Sequence, residues 1–217
     1  DNSVNYLPIN EVQSIVESPD KKSIAVGTTH GCYRIDKRSL RISRFFYPSE
    51  FPTSDYNFFV NAMVFQDARH IWIATDGGGL YLYDWQKHQV KNYTISQSLP
   101  SNIVYALVKT PIGKVWMSTD KGLAFINQGK VTNLNFFKGL EREYRHMAVV
   151  RTQDGRMIFG SNDGAVVLAS KFAGGFNYKA PLHITGVEVE GKTFDEADQL
   201  EDWHAELFGM LQEGKMS

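Results

Sequence analysis

Carboxylates set beside glycines are the most regular chemical feature of the chain. Asp76, Asp120 and Asp163 each stand one to three residues before a glycine (Gly79, Gly122 and Gly164). As functional groups they could be ligand-facing carboxylates at one rim. Their recurrence in register favours a structural reading, an Asx-type turn repeated between strands. The run Gly77-Gly78-Gly79 invites a phosphate-cradle reading, but that motif needs a strand-to-helix junction, and this run lies between two strand patterns. The 6 histidines, at 30, 70, 88, 146, 183 and 204, include no pair with metal-ligand spacing, so no metal site is expected. No Gly-x-Ser-x-Gly elbow is present. The single cysteine, Cys32, opens a strand pattern and reads as a small buried hydrophobe. These residues predict no catalytic group and no cofactor. A glycosidase carboxylate pair is not legible in spacing, because its members meet only in space.

Two segments combine aromatic rings with polar groups suited to a ligand. The first, Phe45 to Phe59, carries Tyr47, Tyr56 and Asn57 on a Pro-interrupted stretch; the second, Leu140 to His146, carries Tyr144 and Arg145 among charges. Long loops on rigid scaffolds often carry binding residues. Tyr56, Asn57, Tyr144 and Arg145 are therefore the candidate ligand residues. The competing readings are outer-strand packing with a stiffened loop for the first segment and a salt-bridged surface loop for the second.

The elements that must position these residues form a repeat. Val104-Tyr-Ala-Leu-Val-Lys109, the turn Thr110-Pro-Ile-Gly-Lys114, Val115-Trp-Met-Ser-Thr119 and Gly122-Leu-Ala-Phe-Ile126 make its clearest copy. Copies also start at Val12, Val60 and His146. The aligned glycines Gly31, Gly79, Gly122 and Gly164 are 48, 43 and 42 residues apart. A period of that size with several short strands in each unit is the mark of a β-propeller. Trp72 and Trp116 occupy equivalent positions, held by Ala25 and Ile158 in the other copies. Leu7-Pro-Ile-Asn10 and Leu99-Pro-Ser-Asn102 precede the first and third copies as connectors between blades. Ser3 to Tyr6 echoes Val90 to Tyr93, which places the start of the chain within the outer strand of a further blade. Residues 172–181 read as the outer strand and exit loop of the last copy. Leu182 to Gly191 then alternates as a half-buried strand of a different sheet. Ala197, Leu200, Trp203, Leu207, Met210 and Leu211 fall on one face of a helix over 195–213, with Gly214 as its cap.

Bulk composition agrees with an all-β protein. The 217 residues are 42% hydrophobic and 13% aromatic, with 14 Phe and 10 Tyr, a composition that suits sheets. The net charge of −1 includes no basic stripe, which argues against a nucleic-acid partner. No apolar run reaches membrane-spanning length, and the polar start Asp1-Asn-Ser-Val-Asn is not a signal peptide.

Val115-Trp-Met-Ser-Thr-Asp-Lys-Gly-Leu123, Ile71-Trp-Ile-Ala-Thr75 with Gly79-Leu80 and Asp84, and Gly27-Thr-Thr-His-Gly31 with Asp36 resemble the regulator-propeller repeat. That repeat builds the periplasmic sensor region of hybrid two-component system histidine kinases. The resemblance covers residues 3–180, and the strand from Pro181 to Gly191 is similar to the opening of the immunoglobulin-like domain that follows the propeller. It implies a partial β-propeller of about four four-stranded blades over 1–180. The start of an immunoglobulin-like domain with an amphipathic helix follows over 181–217. It also implies a periplasmic, non-catalytic, ligand-sensing segment that takes an oligosaccharide, with the kinase modules absent from this chain. Its expected partners are that ligand, the remaining blades of a parent chain, and other copies of itself through bare blade faces. The alternatives are a propeller-fold glycan hydrolase or lyase and a protein-interaction scaffold, since one fold hosts many functions. Ile158 in the tryptophan position and Ala165-Val166 after Gly164 depart from the repeat, so the fourth copy is expected to be irregular.

Overall fold

The structure, a computed structural model, describes residues 11–47, 59–135, 137 and 139–170, and the backbone of Gly186–Val189 and Lys192–Asp195. The chain divides into two units, Asp1–Gly175 and Phe176–Ser217.

The first unit is a succession of antiparallel meanders, the blades of a partial β-propeller. The first sheet joins β1 (Val12–Glu17), β2 (Ser23–Thr28), β3 (Gly31–Asp36) and β4 (Ile42–Phe46) in chain order. The second joins β5 (Val60–Phe65), β6 (His70–Thr75), β7 (Leu80–Asp84) and β8 (Gln89–Tyr93). The third joins β9 (Val104–Lys109), β10 (Val115–Thr119), β11 (Gly122–Asn127) and β12 (Lys130–Asn133). Among the described residues the fourth has β13 (Tyr144–Arg151), β14 (Met157–Ser161) and β15 (Gly164–Leu168). The outer strand expected over 172–181, and the strand expected before Leu7, lie outside the described residues. Successive first strands touch, β1 with β5, β5 with β9 and β9 with β13, so they are the inner strands.

The repeat residues serve the packing between blades. In the second sheet the cross-strand row Val64–Trp72–Leu82–Lys91 faces the third; in the third sheet the equivalent row is Val108–Trp116–Phe125–Thr132. Trp72 joins Leu99, Val104, Val115, Met117 and Ile126 in one apolar cluster between these sheets. Trp116 is buried beside Phe125 and Phe159 at centroid distances of 5.0 and 6.5 Å. Ile71 and Ile73, on the other face of β6, pack with Ala25, Cys32 and Phe46 of the first sheet. Cys32 is fully buried, as expected of a small hydrophobe, and burial pushes its thiol pKa up. Gln66 stitches the lower edge: its amide oxygen accepts from Trp72 Nε1 (2.8 Å), its amide nitrogen donates to the Gly113 carbonyl (3.1 Å), and its own carbonyl accepts from Lys109 Nζ (2.8 Å).

Two of the aligned glycines, Gly31 and Gly79, are required by close approach. Gly31 and Gly79 have φ of 113° and 82°, and a Cβ there would collide with the carbonyl oxygens of Phe46 and Tyr93 at the end of the outer strand. The connector reinforces the same corner. Leu99 is buried in the core, while the Asn102 carbonyl accepts from Gly77 N (3.1 Å) and Gly79 N (2.8 Å).

In the second unit β16 (Gly186–Val189) pairs antiparallel with β17 (Lys192–Asp195), Val189 opposite Lys192. The alternation at 182–191 pointed to the first of these strands but not to its partner. The helix expected over 195–213 lies outside the described residues, except that Asp195 ends β17.

Candidate functional site

Each inner strand carries an irregularity at the same place. Pairing of β1 with β2 skips Gln13, that of β5 with β6 skips Asn61, and that of β9 with β10 skips Tyr105. In the fourth sheet the register jumps from Tyr144 to Val149 on β13 while β14 advances only from Ser161 to Phe159. Residues 145–148 thus stand opposite Gly160 alone, whose missing side chain leaves room for Ala148. A bulge re-aims a side chain out of the alternation of its strand. Repeated on neighbouring inner strands, it gathers polar side chains at one rim. The fourth copy is irregular in β13, where Met147 takes a positive φ of 51°, and not where Ile158 and Ala165-Val166 depart from the repeat, since β14 and β15 pair without a shift.

Tyr105 is the centre of that rim. Its ring lies 4.1 Å from that of His146, centroid to centroid, at 47°. Its phenol pKa is raised, first by burial and then by the negative charges of Asp120, Asp76 and Glu143, with Arg145 acting in the opposite sense. The site therefore combines an aromatic pair, three carboxylates and one guanidinium. Glu143 accepts from Asn162 Nδ2 (2.6 Å), which fixes one of the carboxylates. Asn61, buried on the neighbouring inner strand, donates from Nδ2 to the Val104 carbonyl (2.9 Å) and ties β5 to the strand that bears Tyr105.

The turn acids do not have the structural role that their recurrence suggested. The turn bond is made instead by the hydroxyl that ends each second strand: Thr28, Thr75, Thr119 and Ser161 donate to the carbonyls of Gly31, Gly79, Gly122 and Gly164 at 2.8–3.0 Å. Asp163 accepts from Ser161 Oγ (2.8 Å) and pairs with Arg142 Nη1 (2.7 Å). Asp76 and Asp120 cap nothing, and Asp120 Oδ1 is buried without a hydrogen-bond partner among the described residues. A carboxylate left in that state beside a phenol is an acceptor awaiting a donor. Asx turns do occur, but after the third strands: Asp36 accepts from the backbone of Arg38 and Ser39, and Asp84 from that of Gln86 and Lys87.

The candidates read from sequence separate. Arg145 is exposed at the rim. Tyr144 is fully buried against Phe159, its hydroxyl donates to the Leu140 carbonyl (3.2 Å), and burial pushes its pKa up to about 12, so no face of its ring is open to a ligand. Tyr56 and Asn57 lie outside the described residues. Gly31, Gly79, Gly122, Gly164, Trp72 and Trp116 occupy their repeat positions. Tyr105, His146, Asp76 and Asp120 were not picked out as ligand residues. The signal that could have found Tyr105 was a polar residue after the first position of each inner strand, Val12-Gln13, Val60-Asn61, Val104-Tyr105 and Tyr144-Arg145; His146, Asp76 and Asp120 do not share it. No cluster of three or more His, Cys, Asp or Glu side chains among the described residues is arranged to hold a metal ion.

No protein-family model matches the chain, and no curated protein matches it. Solved structures do. The extracellular domain of the hybrid two component system BT3049 from B. thetaiotaomicron superposes with a TM-score of 0.63 at 21% identity, over 76% of this chain and 21% of that one. The extracellular domain of the hybrid two component system BT4673 from the same organism gives 0.59 at 21% identity, over 74% and 22%. Virginiamycin B lyase from Staphylococcus aureus gives 0.55 at 15% identity, over 73% and 55%. The chain spans about a fifth of the length of the two extracellular domains. At these identities the likeness shows the propeller fold.

Proposed function

We propose that the chain is a ligand-recognition segment of the periplasmic sensor region of a two-component system, that it takes an oligosaccharide at the rim around Tyr105, and that it catalyses no reaction. The observation that carries this reading is the rim itself. Bulges in successive inner strands bring the aromatic pair and the guanidinium of Arg145 to one end of those strands, and the turns after the second strands set the acceptors Asp76 and Asp120 beside them, Asp76 bridging to Ile103 and Thr119 pairing with Val104. Rings supply a flat apolar surface, and carboxylates and guanidinium supply acceptors and donors for hydroxyl groups. The likeness to extracellular domains of two-component systems supports the sensing role and the periplasmic location. Among the described residues no helix is long and apolar enough to cross a membrane.

The test is calorimetric titration of the purified chain with a panel of neutral and acidic oligosaccharides, with product analysis by mass spectrometry of the same mixtures. Saturable binding with the sugar recovered intact is expected. New products would select the second reading, a propeller-fold lyase or hydrolase, which the likeness to virginiamycin B lyase and the proximity of Tyr105, His146 and Glu143 favour. A phenol, an imidazole and a carboxylate in one site are the parts of general acid–base catalysis. A partner protein captured through the rim, with no sugar bound, would select the scaffold reading.

A further inference from the structure

The rim around Tyr105 carries more negative charge than its own groups neutralise. Asp76, Asp120 and Glu143 act on the Tyr105 phenol with one sign, and Arg145 with the other. The backbone holds these acids close by. Asp76 bridges to Ile103, shortly before Tyr105, and Glu143 immediately precedes β13, the strand that bears His146. One oxygen of Glu143 accepts from Asn162. Asp76 and Asp120 form neither an ion pair nor a side-chain hydrogen bond among the described residues. Asp20, Asp36, Asp67, Asp84, Asp154 and Asp163 each make one or the other.

An excess of acids is not in itself a site, but a second feature lies beside them. Ser118 stands on β10 two residues before Asp120, so both side chains leave the face that Trp116 turns toward Phe159 and the fourth sheet. Its pairing partner is Ala106, next to Tyr105 on β9. Ser118 is wholly buried, and its Oγ has no hydrogen-bond partner among the described residues. Asp120 Oδ1 is buried and unpartnered as well. Buried polar oxygens are nearly always bonded, and two left over on one face fit a ligand group that brings several donors at once. A hydroxyl brings a single donor and no charge. A primary ammonium brings several donors and the positive charge that the rim lacks. It also suits the ring, because the face of a tyrosine attracts a cation. An acidic ligand would meet like charge instead.

We propose that the rim binds a protonated primary amine, with the ammonium group held by Asp120 and Ser118 and lying against the Tyr105 ring. This choice of group rests on the reading of the rim as a ligand site given under Proposed function. An aliphatic diamine and an amino sugar with free amines both carry the group, and the rim chemistry is the same for either.

Calorimetric titrations of the chain with cadaverine, its diol counterpart, the trimer of glucosamine and the fully N-acetylated trimer separate the sources of the amine, with the Tyr105 Cζ resonance followed in each. At least one amine is expected to bind about tenfold or more tightly than its neutral counterpart, the effect of one charge-assisted hydrogen bond, and to weaken with added salt. That preference should vanish on Asp120→Asn. Ser118→Ala should reduce it without lowering the melting temperature, since the hydroxyl removed has no partner in the described fold. Cadaverine bound through Asp120 would support the ammonium as sufficient; the glucosamine trimer alone bound through Asp120 would support an ammonium carried on a sugar ring. Neutral counterparts bound as tightly as the amines, failure of both amines, or a preference indifferent to Asp120→Asn would each overturn the proposal. A neutral sugar that moves Tyr105 while neither amine does would overturn the ammonium and leave the rim as a ligand site. If no probe moves Tyr105, the rim reading fails and the ammonium site with it.

Discussion

Lys114 shows how far a single residue can depart from its usual setting. It closes the turn between β9 and β10, is 2% exposed, and places Nζ 4.4 Å from the Phe125 ring centre, with no carboxylate paired to it among the described residues. Burial lowers its pKa. The unfolded chain therefore holds this proton more firmly over the alkaline range just below the usual lysine value, and this residue's contribution to stability rises with pH across that range. Lys114→Met should stabilise the chain at pH 7, by on the order of 1 kcal/mol in urea denaturation, and the gain should shrink as pH rises toward about 10. A loss of stability would show that the cation–ring contact outweighs the desolvation. Asp84 has the opposite sign. The Arg69 fork, at 2.6 and 3.0 Å, holds its carboxyl well below the usual range, with help from Lys87 N and Gln86 N. That stabilisation is complete above the ordinary carboxylate pKa of about 4 and is lost as pH falls below it. Asp84→Asn should lower the melting temperature at pH 7, and the gap from the parent should narrow at pH 3. At the rim, Asp120→Asn should bring the Tyr105 phenol pKa down toward its ordinary value, read from the tyrosine Cζ carbon resonance across an alkaline titration.

At the scale of the element, the strand order was legible because each blade repeats the same local chemistry. Val115-Trp-Met-Ser-Thr119 read as the second strand of its blade and is buried on both faces, and Thr119 with Gly122 marked the turn that the structure draws there. What the repeat could not convey was which turn residue makes the bond. Asp and Thr recur together, and only the structure shows that the hydroxyl donates while Asp76 and Asp120 make no turn bond among the described residues. The bulges were equally hidden. Gln13, Asn61 and Tyr105 look like the polar half of an alternating strand, and a one-residue slip in pairing leaves no mark in composition. The missing tryptophan at Ala25 was visible, but not what fills its place: Ala25 is buried in one cluster with Phe65 and Tyr83 of the neighbouring blade, with Trp85 packed against it. The turn glycines give a graded test. Gly79→Ala is expected to cost more than Gly164→Ala, because its Cβ meets the Tyr93 carbonyl, whereas nothing lies within 4 Å of Gly164. Backbone strain alone accounts for about 1 kcal/mol at either position. Equal losses in denaturant midpoint would show that the approach of the outer strand is not what demands glycine.

For the whole molecule, the rows of side chains that seal one blade to the next end at a blade with no follower among the described residues. On the fourth sheet Val150, Ile158 and Val167 form the row that Val108, Trp116 and Phe125 form on the third, and Val150 and Val167 are 52% and 54% exposed. Ile15, on the far face of the first sheet, is 65% exposed. We infer that these faces meet further blades in a longer chain and that the isolated chain self-associates through them. Sedimentation is expected to show mass rising with concentration, and Val150→Lys with Val167→Lys to reduce it to the monomer; a strict monomer in the parent chain would contradict the inference. The account depends most on the rim that the successive bulges assemble around Tyr105. Its most direct measurement is the carbon spectrum of tyrosine-labelled chain titrated with the oligosaccharide that binds best. The Tyr105 resonance is predicted to move with ligand and to follow the binding curve, and Arg145→Gln to weaken both together. Full-affinity binding with Tyr105 unmoved would contradict it.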